Sequence, residues 1–205
     1  MSDQYLIDCG LSSSSGVTTQ VVSRYVPNLH FKVEAYSDWI LAKWTEINLG
    51  ESLDNNTRGS VFETLIGICL LHAGITPFFR QAEVTYVNNA RFDFLLWEDG
   101  WNPIALSIKT SLRERYKQAE LEAGALKNVH QKSKNYLITL SSREVAARRQ
   151  KLNSSREYSK LDGYVLVDND SADLDELILF LSSKRFSSPE PVNPMANNLG
   201  VALKK

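Results

Sequence analysis

Two periods of apolar residues run along this chain, and the places where one gives way to the other outline its elements. From Val33 to Ile47, apolar residues at Val33, Tyr36, Ile40, Trp44 and Ile47 keep close to helical spacing. Before them, residues 1–16 end in the loop-like LSSSSG, and Val17 to Val26 is short, β-branched and stopped by Pro27. Asn48 to Gly59 (NLGESLDNNTRG) reads as a polar loop. Ser60 to Gly74 is the strongest helical stretch, with Ser60 placed to cap it and Gly74 to end it. It is apolar nearly all round (Val61, Phe62, Leu65, Ile66, Ile68, Cys69, Leu70, Leu71), which predicts burial.

Beyond Gly74 the pattern alternates with shorter, strand-like runs. Glu83 to Asn88 reads as a strand, Asn89-Ala90-Arg91 as a turn, and the Asp93 strand ends near Trp97. A turn at Asp99-Gly100 leads to a strand from Ile104 to Lys109. Alternation puts Ala105, Ser107 and Lys109 on one face of that strand and Ile104, Leu106 and Ile108 on the other. Ser111 is placed to cap a helix running to about Val129, with Leu112, Tyr116, Ala119, Ala123 and Leu126 as its buried stripe. Tyr136–Leu140 and Tyr164–Val167 are strands, Ser142–Leu152 is a basic helix, and Leu174–Leu181 is an amphipathic one. The order helix, three-strand meander, helix, strand, helix, strand, helix predicts an α/β core with a mixed central β-sheet flanked by helices. Residues 1–59 form a mostly helical N-terminal segment able to make its own lobe, 60–186 the core, and 187–205 an extended tail with Pro189, Pro191 and Pro194. No internal repeat is present.

Composition adds exclusions. At 205 residues, with 43% hydrophobic and 23% charged content, the chain suits one globular domain with a sizeable core. The longest apolar run, Leu65 to Ala73, is too short to span a bilayer, and the acidic N-terminus is unlike a signal peptide, so a cytoplasmic location is expected. Cys9 and Cys69 make no disulfide framework, and His30, His72 and His130 are too dispersed for zinc. The net charge of −1 argues against a non-specific nucleic-acid coat protein but not against a DNA enzyme, because local charge decides that. Two stretches are locally basic, Lys109–Lys117 and Arg143–Lys160; each reads either as a solvated helix face or as a nucleic-acid contact, the second better suited to phosphates.

The chemistry gathers between Asp93 and Glu122. Asp93 sits among Phe92, Phe94, Leu95 and Leu96, and Lys109 emerges on the polar face of the neighbouring strand. Asp93, Glu63 and the Ile108 carbonyl are hard oxygen ligands suited to Mg²⁺. Lys109 beside them could orient or deprotonate a water, or stabilise charge developing at phosphorus. Glu63 has two readings. On its helix alone, Ser60-x-x-Glu63 has the form of a capping box, which is favoured; the other reading is a carboxylate projected at the site. Arg113-Glu114-Arg115 in the first turn after Lys109 could read adjacent C·G pairs, arginine through guanine O6 and N7 and glutamate through cytosine N4. Surface charge paired along the helix explains it equally well.

Together these residues resemble the PD-(D/E)xK nuclease superfamily, over about Ser60 to Leu140. SIKTSLRERYKQAELEA is most similar to type II restriction endonucleases of the branch that reads sites containing CC/GG and has a displaced second acid. The resemblance implies a restriction-endonuclease-like core. It puts Ser107 where the second acid is vacated and Glu122, twelve residues past Lys109, where it is displaced to; Glu120 is the rival that fits the spacing less well. It further implies that Asp93 and Glu122 bind Mg²⁺, that Lys109 serves the nucleophilic water, that Glu63 supports the metal, and that Arg113, Glu114 and Arg115 contact C·G pairs. The expected partner is double-stranded DNA met by a homodimer, since a two-fold protein suits a palindromic site, with a companion methyltransferase sharing that site. Two departures stand out: Phe92 replaces the proline before the motif aspartate, and the chain is short for that branch, implying that an effector domain is missing. A structure-specific repair nuclease and a DNA-binding module without catalysis are the alternatives.

Overall fold

A computed structural model describes residues 1–12, 14–98, 102–113, 115–155, 158–188 and 192–193. Among them the chain forms α1 (Asp3–Asp8), α2 (Val17–Tyr25), α3 (Tyr36–Gly50), α4 (Asn55–His72), β1 (Phe79–Val84), β2 (Phe92–Glu98), β3 (Asn102–Lys109), α5 (Arg115–Val129), β4 (Lys134–Thr139), α6 (Ser142–Ser155), β5 (Gly163–Leu166), α7 (Asp173–Ser182) and β6 (Val192–Asn193). The sheet order is β5-β4-β3-β2-β1-β6. β1, β2 and β3 pair antiparallel as a meander, whereas β3, β4 and β5 pair parallel through crossover helices α5 and α6. The fold is thus the α/β architecture with a mixed central sheet that the hydrophobic pattern predicts, preceded by helices.

Helices cover both faces. On one, Ile104, Leu106 and Ile108 of β3 and Phe94 and Leu96 of β2 join a single buried cluster with α4, α7 and residues of α1, α2 and α3, including Leu6, Val22, Ile40 and Ile47. The N-terminal helices therefore share their core with the sheet. Each fully buried Leu, Ile or Phe in such a cluster contributes about 1.5–3 kcal/mol. Gly67 lets α4 lie close to β2, because a side chain there would run into Phe94 and Leu11. On the opposite face are two smaller clusters: Leu95, Trp97, Ala105 and Leu126, and Ala119, Ala123, Leu137, Val145 and Tyr164.

Several boundaries differ from the sequence expectation. Helix α4 begins at Asn55, inside the stretch expected to be a loop, because Asp54 caps it: its Oδ1 accepts the Asn56 and Thr57 amides at 2.8 and 2.9 Å. Ser60 is an interior helical residue whose carbonyl accepts the Thr64 hydroxyl, so it caps nothing. Val17–Tyr25, despite its β-branched residues, is a helix, since Val21 and Val22 pack onto the common core. The first strand lies earlier than Glu83–Asn88, over Phe79–Val84, and Tyr86 turns with a φ of 67°. Ser111 precedes α5 without starting it; Arg115 is the first helical residue. The turn expected at Asp99-Gly100 and most of the tail lie outside the described residues, although Val192–Asn193 pairs with the β1 edge. Among the described residues no helix is long and apolar enough to cross a membrane.

Candidate active site

The β2–β3 register aligns Phe94 with Leu106, so Asp93 and Lys109 both point to the α5 face at the open end of the pair. There Lys109 Nζ lies 2.6 Å from Asp93 Oδ2, which also accepts the Ile108 amide at 2.7 Å. Both side chains are mostly buried, 14% exposed each. The neighbouring strand β1 adds Gln81, whose Nε2 donates to Asp93 Oδ1 at 3.2 Å and to Glu63 Oε2 at 3.2 Å. Gln81 holds a left-handed φ of 47°, a conformation that costs a non-glycine residue about 1–3 kcal/mol. Such strain gathers where a side chain must be aimed.

Glu63 does not fold back on Ser60. It projects from α4 to Arg80, accepting at Oε1 from Nη2 at 2.9 Å and Nε at 3.2 Å. Arg80 also donates to the Leu11 carbonyl. The capping-box reading therefore fails, and Glu63 is joined to Asp93 through Gln81. Burial pushes its carboxyl up from the ordinary value and Asp93 adds to that, while Arg80 and Gln81 pull it down.

Glu122 is the more telling acid. It is only 7% exposed, on the inward side of α5 beside Ala119, Ala123 and Leu126. Among the described residues its one hydrogen-bond partner is a neutral amide, Gln118 Nε2, at 2.8 Å. Burial raises its carboxyl; Gln118 and Lys109 lower it, and Asp93 raises it, which puts Glu122 within electrostatic range of both. Glu120, two residues away, faces elsewhere: it accepts from the Ser159 hydroxyl, the Lys160 amide and the Tyr164 hydroxyl at 2.6, 2.7 and 3.1 Å. Ser107, two residues before Lys109 on the same face of β3, is buried, at 5% exposure. No side-chain hydrogen bond involves it among the described residues.

Among the described residues, no three His, Cys, Asp or Glu side chains lie close enough together to hold a metal ion by themselves. Those residues therefore form no three-ligand cage of the zinc kind among themselves. That leaves room for Mg²⁺, which binds through one or two carboxylates and fills its shell with water and substrate phosphate oxygens. The residues present fit that need: Glu122 is a buried carboxyl whose one hydrogen-bond partner among the described residues is a neutral amide, and its second oxygen accepts nothing among them, while the charge of Asp93 acts on it.

The stretch after Lys109 is held from α6. Glu144 accepts the Leu112 amide at Oε2 (2.8 Å) and the Arg113 amide at Oε1 (2.9 Å), and its carboxyl is drawn below the ordinary value by Ser141 and by these amides. Arg113 has a φ of 31°. Both Arg113 and Arg115 are exposed, and Glu114 lies outside the described residues. In the second basic stretch, Arg148 and Arg149 both have partners within the protein: Arg148 lies 4.3 Å over the Tyr116 ring, and the exposed Arg149 donates to the Tyr164 carbonyl and Asp173 at 2.6 and 2.5 Å.

Sequence reasoning missed Gln81, Arg80, Gln118 and Glu144. Gln118 carried a signal, its i,i+4 spacing to Glu122. The others act across strands or from another helix and left none. No protein-family model matches the chain, and no curated protein matches its sequence.

Proposed function

We propose that this chain is a Mg²⁺-dependent, sequence-specific double-strand DNA endonuclease of restriction type, working as a homodimer on a site containing CC/GG. The observation that carries the reading is the Asp93–Lys109 pair on adjacent strands, with buried Glu122 in electrostatic range of both. In this reading Asp93, Glu122 and the Ile108 carbonyl hold Mg²⁺. The ion, when bound, supplies Lewis-acid polarisation of the scissile phosphodiester. Glu63 and Gln81 keep Asp93 aimed, one through the other. Lys109 orients the attacking water and offers its ammonium to the charge that grows on phosphorus oxygens. The short link from Lys109 to the Arg113–Arg115 triplet ties cutting to recognition.

Incubation with phage or plasmid DNA and Mg²⁺ should give discrete bands, abolished by a chelator and by Asp93→Ala. A smear speaks against site specificity, and cutting confined to branched or damaged DNA makes the protein a repair nuclease instead. Bands that persist in Asp93→Ala sink the site. A second reading, a DNA-binding module that has lost catalysis, draws support from the direct closure of Lys109 on Asp93 Oδ2 at 2.6 Å. Tight Mg²⁺-independent DNA binding with no cutting would favour it.

A further inference from the structure

The acids around the site differ in how their oxygens are used. Both oxygens of Asp93 accept hydrogen bonds, Oδ1 from Gln81 and Oδ2 from the Ile108 amide and Lys109. Both oxygens of Glu63 do as well, Oε1 from Arg80 and Oε2 from Gln81. Glu120, on the same helix as Glu122, has Oε1 on the Ser159 and Tyr164 hydroxyls and Oε2 on the Lys160 amide. Glu122 is half used. Its Oε1 accepts from Gln118 Nε2 at 2.8 Å, and its Oε2 accepts nothing among the described residues.

Helix α5 builds that asymmetry in. Gln118 and Glu122 stand one turn apart, at the i,i+4 spacing that brings side chains together. Glu122 is buried and Gln118 exposed, so the amide of a solvated residue closes on a buried acid. Its Nε2 makes no other hydrogen bond among the described residues. The N–H sets positive partial charge against Oε1, which opposes a cation there and leaves Oε2 as the favoured ligand atom. A carboxylate held in this way binds an ion through one oxygen. That suits Mg²⁺, which demands a near-octahedral shell and keeps several of its waters. It handicaps Ca²⁺, which is larger, gathers more oxygens and readily takes a carboxylate bidentately.

We propose that Gln118 is a positioning residue that holds Glu122 to one-oxygen ligation and thereby sets the preference of the site for Mg²⁺ over Ca²⁺. The inference rests on the reading of Glu122 as a metal ligand and adds to it the group that decides which ion the ligand favours.

The test reads ion binding without DNA or cleavage, from the rise of the thermal unfolding midpoint with MgCl₂ or CaCl₂ concentration, which gives a Kd for each ion. Gln118→Met removes the donor at nearly the same length. Methionine matches glutamine in helix propensity, and the position is exposed, so the fold is kept. The variant should bind Mg²⁺ about 10-fold more weakly, with Ca²⁺ unchanged or tighter, so that the ratio of the two Kd values moves at least about 10-fold toward Ca²⁺. In a Glu122→Gln background the same substitution should leave the ratio alone. A wild-type ratio in Gln118→Met, or equal weakening of both ions, overturns the proposal and leaves Glu122 standing as a ligand. The full shift persisting in the Glu122→Gln background overturns it too, since the effect would not pass through Glu122. A wild-type midpoint that neither ion moves overturns both the proposal and the metal reading on which it rests.

Discussion

On one face of β3, Ile104, Leu106 and Ile108 enter a core shared by α4, α7 and the N-terminal helices; on the other, Ala105, Ser107 and Lys109 stand between two smaller apolar clusters and near Asp93 and Glu122. A single strand thus supplies both the dry packing and the chemistry. The difference lies in what each face leaves unsatisfied. The first face buries hydrocarbon. The second buries a carboxyl at a cost to the folded state, since burial raises Glu122.

If the faces are divided in this way, Asp93→Asn, which keeps a side-chain oxygen to accept from the Ile108 amide and Lys109, should produce the largest effect on cleavage and a small one on folding. Cleavage should fall about a thousandfold, the equivalent of several kcal/mol of lost charge stabilisation, with the thermal midpoint little moved. A variant that unfolds instead would make Asp93 a structural residue. Leu106→Ala, on the fully buried apolar side, should do the opposite. It should cost about 2–5 kcal/mol in urea titration while the folded fraction keeps its rate per molecule.

The two glutamates of α5 sharpen the contrast within one helix. Glu120→Ala strands an amide and two hydroxyls and should destabilise by about 1–3 kcal/mol with cleavage retained. Glu122→Gln should keep or raise the unfolding midpoint and demand roughly 10- to 100-fold more Mg²⁺ for cleavage. If the two outcomes are exchanged, Glu120 is the displaced acid and Glu122 is structural.

The smallest effect is in pH. Glu122 has its folded carboxyl raised above the ordinary 4.5, so the folded state binds that proton more tightly than the unfolded one. Its contribution to stability is then fully present below the unfolded value and is lost as pH rises through the folded one. Glu122→Gln does not titrate. Urea midpoints from about pH 4 to pH 8 should therefore show the variant gaining on the wild type as pH rises through that window, with a constant difference above it. A difference that is flat throughout would mean that Glu122 is not perturbed.

Much of this was legible along the chain, and the residues show why. Asp93, Lys109 and Glu122 lie within one strand–strand–helix unit, where period 2 and period 3.6 decide which side chains share a face. The order of elements followed from the same periods. Helix α4 was cut short because NLGESLDNNTRG is polar, and polarity marks exposure, not the absence of a helix. On its helix alone Ser60-x-x-Glu63 favours a capping box because that is a local pattern, whereas Arg80 and Gln81 reach Glu63 from a strand across the core. The basic run of α6 looked uniform, yet Tyr116, Tyr164 and Asp173 engage two of its arginines.

The sequence by itself determined the α/β alternation and the apolar face of β3, since backbone periodicity is a local quantity; the candidate acid and lysine followed from strand alternation, and the displaced glutamate from the resemblance alone. Only the tertiary structure decided that Glu122, not Glu120, faces Lys109, that Gln81 joins Glu63 to Asp93, and that Glu144 pins the turn at Arg113. Those are contacts between elements far apart in the chain, fixed by the register of the strands and the way each helix lies on the sheet, and no local pattern encodes them.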